Sequence, residues 1–429
     1  MRYQPLSDST YIHHRKKLAN ALPSGALAIV NSNDIMPTNG DGTMSFRQNS
    51  DLLYLSGVDQ EESVLAIFPE ATNPAHREIL FLKKTSPEIA IWEGDKLDKE
   101  QATALTGIKT VQWLENFEPM LKLLMSEATE VFLPSNEHTR RSNEVETREE
   151  RFQKWMYENY PLHHYSRLAP IMHRLRAVKS TEEIEQMRNA CEITEAGLRR
   201  VLKFIKPGVK ENEIEAEYMH EFLRRGSRGF AYSPIIASGF SACVLHYIEN
   251  NQPCNDGDLL LMDVGAEYGN YASDMTRTIP VNGKFTDRQK EVYSAVLRVM
   301  KESMKMLRPG VMLADYHKKV GKLMEPELVQ LGLLKQDDID NQNPESPAYK
   351  KFFMHGTSHF IGLDVHDVGL WHEPIEAGMV FTVEPGIYIR EENMGIRLEN
   401  DIVITESGYD DLMGNIPIEI EEIEQIMQG

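Results

Sequence analysis

An aspartate at the end of an otherwise apolar strand is the feature that most narrows what this chain can become. Residues 259–262 read Leu-Leu-Leu-Met, a run suited to a buried strand, and Asp263 follows directly. Beyond the turn-like Tyr268-Gly269, a second β-rich run carries Asp274. Pairing residue 267 with residue 270 sets Asp263 opposite Asp274 on one side of a hairpin, with Met262 and Val264 pointing to the other side. Like charges opposed across a strand pair destabilise it. An isolated pair of this kind would more often face water. The apolar neighbours argue for burial instead, and a buried carboxylate pair needs a cation.

The arrangement recurs further along. Val380-Phe381-Thr382-Val383-Glu384 and Gly395-Ile396-Arg397-Leu398-Glu399 flank a polar turn, Arg390 to Met394. Glu384 and Glu399 lie equidistant from its centre and can oppose one another, while Arg397 shares the face of Glu399. His355, His359 and His366 are interleaved with glycine and apolar residues, which suits a cleft lining better than a solvated face. No HExxH glutamate accompanies them, so the zincin pattern fails. Asp364 and Asp367 are placed to orient these histidines. Glu267, at the turn, is expected to be solvated, and Trp92 to be partly buried.

Bulk properties bound the rest. A chain of 429 residues exceeds what one core fills, which implies two or three domains. A hydrophobic fraction of 41% and a charged fraction of 26% are those of a soluble globular protein, and no run approaches the roughly 18 apolar residues of a membrane span. The net charge of −20, from 46 basic and 66 acidic residues, repels phosphate backbones and anionic membranes. Neither nucleic acid nor membrane is therefore an expected partner. Cys191, Cys243 and Cys254 form no CxxC pair and cannot all be bridged, which fits a reducing compartment. With no apolar leader at the start and no lipidation signal at the end, the expected location is cytoplasmic.

Two halves differ in character. Residues 1–174 alternate buried strands (26–30, 64–68, 78–82) with polar helical stretches, among them a solvated helix over 142–159. Residues 175–429 open with a capping box, Ser180 with Glu183, that starts a helix running to about 204. Further helices are expected at 211–225, 286–307 and 418–428, and strands within 258–280 and 378–406.

The strings MDVGAEYGNYASDMTRT, HGTSHFIGLDVHDVG, VFTVEPGIYI and GIRLENDIVIT resemble the metal-site motifs of the creatinase/aminopeptidase P/methionine aminopeptidase group. Residues 46–57 and 88–94 are similar to the N-terminal domain of Xaa-Pro aminopeptidases, so the likeness covers nearly the whole chain. It implies an α/β (α+β) fold: a C-terminal pita-bread catalytic domain, an antiparallel curved sheet flanked by helices, preceded by an N-terminal α/β creatinase-like domain. It also implies two divalent metals. Asp263 would bind one of them through both oxygens, Asp274 and Glu399 would bridge the pair, and His359 and Glu384 would complete one shell. Such an oxygen-rich set suits Mn²⁺, with Zn²⁺, Co²⁺ or Fe²⁺ open.

The implied reaction is hydrolysis of an N-terminal Xaa-Pro bond by a metal-bridging hydroxide, with Glu384 shuttling the proton. His246 and His366 match residues that contact the substrate and the developing oxyanion. His355 and Arg397 match residues around the proline pocket, and the segment of Trp92 helps to frame the cleft in similar proteins. The expected substrates are peptides with proline second, and the expected assembly is a homodimer or homotetramer. A prolidase would share all five ligands and stays open as an alternative. A metal-free binding module on the same fold is disfavoured by the intact ligand set.

Overall fold

A computed structural model describes residues 3–141 and 144–429. The chain divides between Arg176 and Ala177 into two units, with Gln4 belonging to the second.

In Pro5–Arg176, strands β1 (Ala26–Asn31), β2 (Val64–Ile67), β3 (Glu78–Leu82), β4 (Thr110–Trp113), β5 (Glu130–Leu133) and β6 (His164–Arg167) form one mixed sheet in the order β4-β3-β2-β1-β5-β6. Strands β1, β2 and β3 pair antiparallel, and the outer pairings are parallel. Every residue of β1 and β2 is buried, which is why these strands read as unbroken apolar runs rather than alternating ones. The helix expected over 142–159 spans Arg148–Asn159. Thr147 caps it, its Oγ1 accepting the Glu150 N–H at 3.3 Å while Glu150 Oε2 accepts the Thr147 N–H at 2.7 Å. Residues 142 and 143 lie outside the described residues.

All strand pairings of the second unit are antiparallel. Strands β7 (Ile235–Ser238), β8 (Leu259–Val264), β9 (Glu267–Tyr268), β10 (Tyr271–Ala272) and β11 (Met275–Pro280) make the first hairpin system. Strands β12 (Val380–Val383), β13 (Gly386–Ile389), β14 (Met394–Arg397), β15 (Asn400–Thr405) and β16 (Gly408–Asp411) make the second. A bridge between Thr276 and Glu399 joins the two systems. Helices Thr181–Phe204, Glu211–Arg224 and Asp287–Met306 pack against them, and the first is capped by Ser180 and Glu183 as its sequence predicts. No helix among the described residues is long and apolar enough to cross a membrane.

One register differs from the sequence expectation. Gly269 (φ 59°) and Asn270 (φ 69°) both take the left-handed conformation, so the turn centres on Gly269-Asn270 rather than on Tyr268-Gly269. A two-residue hairpin turn of this hand needs positive φ at both central positions, which glycine and asparagine tolerate. Tyr268 therefore pairs with Tyr271, and Asp263 faces Thr276 instead of Asp274. The slip is two residues, so every side chain keeps its face. In the second system the expected register stands: Gly386 pairs with Arg397 and Val383 with Asn400, which sets Glu384 level with Glu399.

Between β8 and β9 the strands approach so closely at Gly265 that an added Cβ would lie 1.8 Å from the Ser273 carbonyl oxygen. Backbone cannot yield there without moving the segment that carries Asp274. Gly265→Ala should lower the thermal midpoint by an amount equivalent to about 2 kcal/mol or more. An unchanged midpoint would show that this approach is not fixed.

Candidate metal centre

The two hairpin systems and the loop before β12 deliver acidic and imidazole side chains to one buried spot. One ligand atom each from Asp274, His359 and Glu399 lies within 4.8 Å of the others. The Nε2 of His359 sits 3.4 Å from Asp274 Oδ2 and 3.8 Å from Glu384 Oε1. Asp263 joins at the edge, because the Tyr232 hydroxyl meets both Asp263 Oδ1, at 2.6 Å, and Asp274 Oδ1. Its other oxygen accepts from the Arg397 guanidinium at 2.6 Å. Three of the five residues expected at the metals thus converge directly. Glu384 borders them through His359, and Asp263 through Tyr232.

The donor chemistry fits a cation. His359 Nδ1 lies 3.0 Å from the Phe360 carbonyl oxygen, which can only accept, so Nδ1 carries the hydrogen and Nε2 turns its lone pair toward the carboxylates. Burial pushes the carboxyls of Asp274 and Glu399 well above their ordinary range, and neighbouring carboxylates add to the effect. Burial also raises Glu384 to about 7, against the pull of His359 and Arg397. Without an added positive charge the cluster favours protonation. A divalent ion reverses that preference.

A surrounding hydrogen-bond net fixes these side chains. The Thr276 hydroxyl donates to Glu399 Oε2 at 2.7 Å and accepts from Arg397 Nε at 3.1 Å. Arg277, fully buried, donates to the carbonyls of Thr276 and Glu399 at 2.9 and 2.8 Å and to Asn400 Oδ1 at 2.8 Å, tying β11 to β15. Asp401 Oδ2 accepts the Asp274 backbone N–H at 2.9 Å. On helix Leu313–Gln330, His317 Nδ1 accepts the Thr357 N–H at 3.2 Å, and the Thr357 carbonyl accepts the Glu384 N–H at 2.8 Å.

The remaining expected residues fall in different places. His366 packs edge-on against His359 with ring centroids 4.6 Å apart. His355 lies 3.5 Å from Glu384 and 2.8 Å from the Tyr388 hydroxyl, which in turn accepts from Arg397 at 2.7 Å. Burial, with the nearby Arg397 charge, lowers His355 to about 3, so its ring is neutral. His246 is exposed on the turn after Gly239–Cys243.

Two burial expectations are corrected. Trp92, on helix Pro87–Glu93 of the first unit, is 89% exposed rather than partly buried. Glu267 is buried rather than solvated, because it accepts the N–H groups of Arg228 (2.9 Å) and Asn270 (3.1 Å) and so closes the turn itself. Asp367 is buried with Lys179 3.4 Å away, while Asp364 is exposed.

Sequence reasoning missed Tyr232, Thr276, Arg277, Asp401, His317 and the part played by Tyr388. Thr276 and Arg277 stood inside a motif with a polar, strand-compatible signal. Nothing local marks Tyr232 or His317.

Comparison with known proteins points the same way. Residues 185–406 match the model of metallopeptidase family M24, and residues 11–132 match the aminopeptidase P N-terminal domain. The chain is 35% identical to the Xaa-Pro aminopeptidase of Escherichia coli K12 over 98% of both chains. It is 31% identical to human Xaa-Pro aminopeptidase 3, over 98% of this chain and 86% of that one. Among solved structures, Pseudomonas aeruginosa aminopeptidase PepP superposes with a TM-score of 0.91 at 31% identity, covering 99% of this chain and 98% of that one. Zinc-substituted Escherichia coli aminopeptidase P in complex with product gives 0.88 at 34% identity, covering 99% of each.

Raised carboxyl pKa values give a proton signature. Metal added to the metal-free protein should displace protons from the cluster, because burial holds the Asp274 and Glu399 carboxyls well above their ordinary range until a cation compensates. Titration calorimetry in buffers of differing ionisation enthalpy reads the release directly. Metal uptake with no proton release would show that these carboxyls were already ionised.

Proposed function

This chain belongs to metallopeptidase family M24, and we propose that it removes the first residue from peptides whose second residue is proline, using two divalent metals. The convergence of Asp274, His359 and Glu399 carries the reading, supported by curated relatives that are Xaa-Pro aminopeptidases over nearly their whole length. Asp263, Asp274, His359, Glu384 and Glu399 would hold the metals. An oxygen-rich set with a single imidazole favours Mn²⁺ over thiophilic ions. When bound, the pair supplies a lowered water pKa and a polarised carbonyl.

The protein's own groups then have separable tasks. Glu384, whose Oε1 lies 3.8 Å from His359 Nε2 beside the cluster, would take and return a proton at its Oε atoms. Arg397 donates to Asp263 Oδ2 and to the Tyr388 hydroxyl, which donates to His355 Nε2. His355 therefore presents a neutral ring, edge-on to Phe353 (5.0 Å) and Tyr388 (5.5 Å), as a wall against which a pyrrolidine ring can pack. His366 and His246 would approach the scissile carbonyl and the peptide. A proline nitrogen in an amide carries no hydrogen and its φ is fixed, so a site that selects by ring packing accepts what a site reading that N–H rejects.

Trp92 would take part in substrate binding, its exposure leaving it available, and the assembly would be a dimer or tetramer. Three buried cysteines, none of them bridged, support a cytoplasmic location.

A panel of Xaa-Pro dipeptides and Xaa-Pro-Xaa peptides with Mn²⁺ should show release of the first residue from the longer peptides, abolished by a chelator. Cleavage confined to dipeptides would make the protein a prolidase, and cleavage of neither would sink the proposal. Glu384→Gln should lower turnover about a hundredfold or more. Metal content measured on the same variant separates loss of the proton path from loss of metal.

A further inference from the structure

The first unit contains a cleft of about 800 Å³ with a composition suited to a ligand. Phe117, Phe152 and Trp155 line it as an aromatic row, with centroids of successive rings 5.9 Å apart. Arg148 and Arg151 line it as well, and the two differ. Arg151 is spent on Asp34, donating to both carboxylate oxygens at 2.8 and 2.9 Å. Arg148 makes one hydrogen bond, to the Ser32 hydroxyl at 2.7 Å, and among the described residues no carboxylate forms an ion pair with it.

A partly withdrawn guanidinium with carboxylates acting on it only at longer range, from Asp34, Glu149 and Glu62, and none in ion-pair contact among the described residues, is unusual in a chain with 66 acidic residues. Its sequence neighbour Glu149 is turned to another partner: that carboxyl is buried, accepts from Asn31, and is pushed by burial up to about 8. Two other carboxylates line the cleft. Glu115 is paired with Lys84 at 3.3 Å, and Glu118 is exposed to water.

We propose that this cleft binds a small carboxylate with a flat apolar body, the carboxylate taken by the Arg148 guanidinium and the body laid on Phe152 and Trp155. A guanidinium fork matches a carboxylate in two parallel hydrogen bonds, and the rings supply apolar area with little entropy to lose. A free aryl acid and the C-terminal residue of a peptide share this chemistry.

Titration calorimetry on the intact, metal-loaded protein tests it with three probes: 3-phenylpropionate, its neutral amide, and an acetylated tripeptide ending in phenylalanine. The acid should bind and the amide should bind about tenfold or more weakly. Arg148→Gln should weaken the acid by a similar factor, and Arg148→Lys by less. Trp155→Leu, which leaves every charge in place, should also weaken it and gives a second reading if Arg148→Gln fails to fold. Tripeptide binding at least as tight as that of the acid identifies a peptide end as the ligand, and binding of the acid alone identifies a free acid. Equal affinity of acid and amide, no binding of any probe, or acid binding unchanged in folded Arg148→Gln or in Trp155→Leu overturns the proposal.

Discussion

Carboxylates forced together away from water are what the second unit is arranged around. Asp274 is 5% exposed and Glu399 2%, with Glu384 and Asp263 beside them. Leaving one ionised carboxylate buried without a partner costs several kcal/mol. Each nearby feature answers that cost. Strand pairs cross so that donors from Thr276 and Tyr232 reach the oxygens, Arg397 brings a fixed positive charge, and His359 turns a lone pair inward.

The supporting net works through backbone as much as through side chains. Arg277 directs its guanidinium at the carbonyls of Thr276 and Glu399, the two residues whose bridge joins the hairpin systems. Asp401 holds the backbone N–H of Asp274. Both act on the backbone that sets where the carboxylate oxygens stand. A substitution here would act on the spacing of the carboxylates, on which the binding of a metal depends.

What could be read in advance follows from how local each signal is. The Ser180–Glu183 cap and the level placement of Glu384 with Glu399 depend on residues near in sequence, and both were legible. The turn at Gly269-Asn270 was misplaced by a residue because Tyr-Gly and Gly-Asn both look like turns, and only the pair of positive φ values decides between them. Glu267 looked solvated because a turn glutamate usually is. Its burial depends on the N–H groups of Arg228 and Asn270, and the first belongs to a segment some forty residues upstream. Helix Leu313–Gln330, which brings in His317, hides behind an internal Pro326, a residue that ordinarily ends a helix. Tyr232 could not be found at all, since its contact with the two aspartates exists only once the sheet has formed.

Charge balance ties the cluster to its chemistry. Asp263, Asp274, Glu384 and Glu399, all ionised, would carry four negative charges, and Arg397 offsets one of them. One divalent ion would still leave the centre a net negative charge, which opposes bringing up an electron-rich attacking group. Two divalent ions leave it one positive charge in excess. That surplus is what a site needs if negative charge is to develop on a carbonyl oxygen within it. The neutrality of His355 fits the same balance: a charged imidazole near Arg397 would add repulsion beside the cluster.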